Sequence, residues 1–143
     1  KRDDYLHRRF QPFDAMTRAG KELPPNAKLL LVWENRGYYL GRPYIADSFY
    51  EASWIVQALE KDQSGDSLEK RLRDEEVTHV MMNVPLGLHF GRYYAHPRVR
   101  EALDRFLRER GKLLFEVNGL VVAELRGKEP PAKAKKAAPR PPQ

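Results

Sequence analysis

The sequence predicts an α/β fold: a three-layer, Rossmann-like sandwich with a mostly parallel sheet and a C-terminal antiparallel hairpin. Three observations carry this reading. Lys28 to Trp33 and Val77 to Val84 are apolar-dominated runs of strand length, as expected of strands buried on both faces. Stretches with helical spacing of apolar residues separate them, which implies parallel crossovers. Near the end, Lys112 to Val117 and Leu120 to Leu125 flank Asn118-Gly119, two residues that tolerate the positive φ of a tight hairpin turn.

The first helix is expected from about Pro12 to Leu23, with Phe13, Met16, Ala19 and Leu23 on one face. Leu23-Pro24-Pro25-Asn26 stops it, because proline removes a donor and restricts the residue before it. After the first strand, Gly37 and Gly41 punctuate short strand or loop pieces at Tyr38–Leu40 and Tyr44–Ala46. A helix from about Tyr50 to Lys61 gathers Trp54, Ile55, Ala58 and Leu59. A loop at Ser64–Ser67 leads to a helix ending near Glu75, capped by Asp66 or Ser67. Pro85 to Tyr94 reads as a long loop with Gly87 and Gly91. His96-Pro97 opens a helix to Arg110, with Val99, Leu103, Phe106 and Leu107 as its apolar face.

Apolar residues make up 41% of the 143, enough for one core, and no stretch approaches the roughly 18–20 consecutive apolar residues that span a bilayer. The expected organisation is a soluble domain over 1–127 and a disordered basic tail over 128–143. The tail is rich in Pro, Ala and Lys, and proline there forbids regular hydrogen bonding. Its five basic residues stand against one acid, so it holds +4 of the net +6 charge. The domain itself is close to neutral, and a nucleic-acid surface is the weaker expectation. The highly charged N-terminus at Lys1 reads as a cut point in a larger protein.

There are no cysteines, which excludes disulfides, thiolate metal sites and a cysteine nucleophile. His7, His79, His89 and His96 lack the spacing of a zinc site, and His79 reads as a structural histidine within a strand. No phosphate-binding glycine loop, paired-carboxylate signature or Ser-His-Asp order is present. No catalytic residue, metal or cofactor is therefore expected. The acids and bases from Glu60 to Glu76 read as a solvated helical face, with pairs such as Glu69–Arg73.

In open α/β sheets, ligands bind beyond the carboxyl ends of strands. Two segments are expected there. Glu34, Arg36, Tyr38 and Tyr39 follow the first strand, and Asn83 ends the second, leading to His89, Arg92, Tyr93 and Tyr94. Carboxylate, guanidinium, phenol and imidazole groups together suit a sugar or a polar head group. The same residues also fit a polar, aromatic cluster that packs on itself or on a neighbouring domain.

Four segments carry a resemblance. They are the opening helix into Leu23-Pro24-Pro25-Asn26-Ala27-Lys28-Leu29-Leu30-Leu31, the stretch Glu34 to Pro43 with Asp47 beyond it, the strand Val77-Thr78-His79-Val80, and the Asn118-Gly119 hairpin. Together they resemble the soluble C-terminal domain of polytopic membrane glycosyltransferases of the GT-C type, in particular bacterial proteins like dolichyl-phosphate-mannose–protein mannosyltransferase. The likeness spans about Tyr5 to Arg126. It implies an upstream transmembrane domain in the same chain, a lipid-linked sugar donor, and a catalytic carboxylate outside these residues. It places this domain on the periplasmic or extracellular side, as an accessory part that shapes or gates an acceptor site. The alternative is a stand-alone α/β binding or regulatory module whose basic tail meets anionic partners.

Overall fold

The computed structural model describes residues 2–47, 53–94 and 96–126, with side chains described for 2–47, 53–89 and 96–126. The expected tail, 128–143, lies outside the described residues. The elements run α1 (Arg2–Arg9), α2 (Phe13–Glu22), β1 (Leu29–Val32), β2 (Tyr44–Ala46), α3 (Trp54–Lys61), α4 (Asp66–Asp74), β3 (His79–Asn83), α5 (Val84–Tyr94), α6 (Pro97–Arg110), β4 (Gly111–Val117) and β5 (Leu120–Leu125).

The strands form one five-stranded sheet in the order β2-β1-β3-β5-β4. β1 pairs in parallel with β2 and with β3, whereas β5 is antiparallel to β3 and to β4. The fold is therefore α/β with an evenly mixed sheet, not the mostly parallel one expected. The hairpin causes the difference: β5 folds back between β3 and β4, so it contributes two antiparallel pairings. β1 and β3 are interior strands, as their unbroken apolar runs require.

Alternation along the strands divides the core between the two sheet faces. Leu29, Leu31 and Met81 meet Ala15, Met16, Ala19 and Leu23 of the α2 region, together with Leu120 and Val122. Leu30, Val32 and Val80 meet Ile55, Leu59, Leu68, Leu72, Leu103 and Phe106 from α3, α4 and α6. Burying each such side chain contributes roughly 1.5–3 kcal/mol relative to leaving it in water.

Local chemistry sets several boundaries. α2 ends where the chain turns extended at Leu23, just before Pro24. α3 begins at Trp54, because Ser53 accepts the Val56 N–H at 3.0 Å and buried Asp47 accepts the Trp54 N–H at 3.1 Å. The expected start at Tyr50 lies outside the described residues. His96 caps α6 by accepting the Arg98 N–H at 3.2 Å, with Pro97 in the first turn. In the hairpin, Asn118 and Gly119 have φ of 53° and 81°, the values a two-residue type I′ turn needs.

Two expectations are corrected. Residues 84–94 form helix α5, not a loop. Asn83 supplies the cap, its Oδ1 accepting the Leu86 N–H at 3.3 Å, and Pro85 sits in the first turn. Second, the acids of α4 are not only a solvated face. The Glu69–Arg73 pair forms at 3.2 Å, but Glu69 and Asp66 also hold the guanidinium of Arg110, at 3.2 and 2.5 Å. Arg110 is only 1% exposed and also donates to the Ser64 carbonyl at 3.1 Å.

Candidate functional site

The carboxyl ends of β1 and β3 lie side by side, and their last residues open a buried polar cluster. Val32 pairs with Met82 at the end of the parallel register. Beyond it the chain turns sharply at Trp33, whose φ of 56° is costly for a bulky side chain. Gly87 of α5 accommodates the Trp33 ring: a Cβ there would lie 2.6 Å from it. The turn brings Glu34 to Asn83.

Glu34 is fully buried and accepts five hydrogen bonds. Its Oε1 takes the backbone N–H groups of Asn35 and Arg36, at 3.1 and 3.0 Å, and Nε of Arg36 at 2.7 Å. Its Oε2 takes Nη2 of Arg36 at 2.8 Å and Nδ2 of Asn83 at 2.9 Å. Burial is the largest single influence on Glu34 and pushes its pKa up. The hydrogen bonds from Arg36 and Asn83 together outweigh burial, so the pKa lies below the ordinary value. Glu34 is thus ionised at neutral pH. About four lone-pair sites on a carboxylate are met by five donors, which leaves no acceptor position to take a proton from a substrate. In this arrangement Glu34 organises the loop.

The cluster continues through residues that the sequence did not single out. Gln11, between α1 and α2, reaches Nδ2 of Asn83 through its Oε1 at 3.4 Å and donates to the Asn118 carbonyl at 2.9 Å. Arg36 lies over the Phe10 ring at 5.0 Å. Gln11 and Phe10 carry no sequence signal for this role, because their partners are far away in the chain.

The predicted site residues therefore divide. Glu34, Arg36 and Asn83 are brought together. Tyr38 is 78% exposed beside them. Tyr39 turns inward, its ring 5.5 Å from Phe10 and 5.2 Å from Phe13. His89 lies exposed on α5. The side chains of Arg92, Tyr93 and Tyr94 lie outside the described residues. His79, read from sequence as structural, is buried with its Nδ1 2.7 Å from Thr78 Oγ1. Among the described residues, no group of three or more His, Asp or Glu side chains is placed to hold a metal ion.

What this geometry offers is a rim: the exposed phenol of Tyr38 and the half-exposed guanidinium of Arg36, the latter held by a buried carboxylate, where strand connections diverge from β1. Such switch points are where open α/β sheets bind ligands. No protein-family model matches the chain, and no curated protein matches it. Among solved structures, it is similar to the C-terminal globular domain of an oligosaccharyltransferase from Archaeoglobus fulgidus, with a TM-score of 0.50. The likeness covers 82% of this chain and 97% of that one at 15% identity, so what the two share is an α/β fold over nearly the whole of that domain.

Proposed function

We propose that this α/β domain is an accessory part of a membrane glycosyltransferase-like protein and is not catalytic by itself. The observation that carries the reading is the fold likeness to an oligosaccharyltransferase's C-terminal globular domain, which extends over 97% of that domain. The saturated carboxylate of Glu34 supports the non-catalytic part. The domain sits on the periplasmic or extracellular side of the membrane, next to an upstream transmembrane domain of the same protein. No helix among the described residues is long and apolar enough to cross a membrane, so any span lies elsewhere. A Rossmann-like, three-layer description fits the apolar cores on both faces, within the mixed sheet.

The role is to shape or gate the site for a lipid-linked sugar or its acceptor. The rim built by Arg36 and Tyr38 orients an oxygen-rich substrate whose chemistry happens in the membrane part, and binding energy used for orientation lowers the barrier there. The test uses the full-length parent in vesicles with lipid-linked donor and acceptor. Arg36→Gln and Tyr38→Ala should raise the apparent KM for one of them, with kcat little changed. A parent without membrane spans, or turnover by this domain alone, would refute the reading and leave a stand-alone module.

A further inference from the structure

A cavity lies at the other end of the sheet, around the amino ends of β1 and β3. It has a volume of about 390 Å³, within the range of small-ligand sites. Leu72, Val77 and Phe106 form its apolar part, and His79, Arg73 and Arg126 its polar part.

His79 is only 5% exposed, yet one ring nitrogen is left for the cavity. Its Nδ1 lies 2.7 Å from Thr78 Oγ1, and no described residue engages Nε2. The surrounding bonds favour one tautomer. The Lys28 carbonyl already accepts the N–H groups of Thr78 and His79, at 2.9 and 3.2 Å. The Lys28 N–H donates to Thr78 Oγ1 at 3.1 Å. Thr78 Oγ1 is 3.3 Å from that carbonyl oxygen and 2.7 Å from Nδ1, and the shorter contact is the one to which its proton is assigned. The imidazole then carries its own proton on Nε2 and presents an N–H donor to the cavity.

The charges around it suit an acceptor. Three guanidinium groups, Arg73, Arg110 and Arg126, face two carboxylates, Glu69 and Glu124. All three nitrogens of Arg110 are already bonded, to Glu69, Ser64 and Asp66. Arg73 and Arg126 each bond one carboxylate through a single nitrogen, at 3.2 and 3.4 Å. Each guanidinium has five N–H donors, so most of theirs remain available at the mouth. A ligand that meets an N–H, two guanidinium groups and an apolar wall is an oxyanion on a small carbon skeleton.

We propose that this cavity binds a small ligand through a carboxylate or phosphate group, held by the Nε2–H of His79 and the guanidinium groups of Arg73 and Arg126. Burial holds the pKa of His79 below its ordinary value, against the opposing charge of Glu124, so the ring is a neutral donor at pH 7.

The experiment follows the His79 ring nitrogens by NMR in the whole chain labelled with ¹⁵N-histidine. Inorganic phosphate and acetate are titrated in parallel, with sodium chloride at matched ionic strength and methyl glucoside as a neutral control. We expect Nε2 to be the protonated nitrogen and to shift saturably with at least one anion. Phosphate alone would assign a phosphorylated ligand, and acetate a carboxylate. Arg126→Gln and Arg73→Gln should each weaken binding about tenfold, the worth of a charge-assisted hydrogen bond. An Nε2 without a proton, a response no different from chloride, saturation by the glucoside alone, or unchanged affinity in both variants would overturn the proposal.

Discussion

Glu34 and Arg110 are charged side chains buried at opposite ends of the sheet, and the two ends treat them differently. At the carboxyl ends, Glu34 is sealed with partners that are themselves local or buried: Arg36 two residues on, and Asn83, which is fully buried. At the amino ends, Arg110 is equally buried, but its partners look outward. Asp66 has 65% of its side chain exposed. The first arrangement is closed on its Asn83 side, because Glu34 and Asn83 are both shut off from water, while Arg36 keeps 40% of its side chain exposed. The second is open, because the partners rehydrate once the guanidinium is gone. A buried charge is costly to break only where its removal strands another group.

The strongest way to break this comparison is Asn83→Ala. It removes a donor from buried Glu34 and the cap of α5 together. A charge-assisted hydrogen bond and a lost cap amount to about 3 kcal/mol. Urea unfolding reads it, and a loss below about 1 kcal/mol would mean that Glu34 is not sealed. Arg110→Ala should cost less, about 2 kcal/mol, chiefly from the cavity left beside Phe106. Arg110→Met refills most of that space and should stay within about 1 kcal/mol of the parent. If the Met variant were as damaging as Asn83→Ala, the amino end would be as closed as the carboxyl end.

Legibility in the sequence follows the same division. The Leu29–Val32 run, the Asn118-Gly119 hairpin and the His96-Pro97 helix start were readable because each signal is local. Glu34 and Arg36 were readable as neighbours on one rim, and the strand-end rule placed Asn83 opposite them. α5 was not recognised, since Pro85, Gly87 and Gly91 resemble loop punctuation. Asn83 as cap and Pro85 in the first turn were the available signal. Gly87 is there for the close approach of Trp33, not for a turn. α1 escaped because none of its residues is buried, so it has no apolar stripe to read. The engagement of Arg110 was invisible because its partners are 41 to 46 residues away.

Acidification tests both ends with a gentler perturbation. Glu34 has a folded-state pKa below its ordinary 4.5, so its contribution is complete above pH 4.5 and is lost as pH falls through the folded value. His79 is also depressed, from 6.5, because the fold favours the neutral ring. The unfolded chain therefore takes up a proton first, and stability declines as pH falls below about 6.5. Two steps are expected in stability against pH. His79→Gln should remove the upper one, and Glu34→Gln should shrink the lower one, to which Asp62 also contributes because hydrogen bonds from Ser64 and Ser67 hold its carboxyl below the ordinary value. A single carboxylate step in the parent chain would show that His79 is not held neutral.

The smallest effect is expected at Arg73, which shares the Glu69 carboxylate with Arg110. Its side chain is 74% exposed and bonds Glu69 at 3.2 Å across one helical turn. An exposed pair of this kind contributes about 0.3–0.5 kcal/mol, because water and salt screen the attraction and holding two long side chains costs entropy. Arg73→Gln should therefore change stability by no more than about 0.5 kcal/mol, and the difference should vanish in concentrated salt. Glu69 keeps its bond to Arg110 in that variant, so no buried group is stranded. The variant thus separates two roles of one residue. If Arg73→Gln leaves the unfolding curve in place yet weakens anion binding at His79, its guanidinium serves the cavity and not the fold. A loss approaching that of Arg110→Ala would mean instead that Arg73 and Arg110 form one indivisible network, and that the amino end is closed after all.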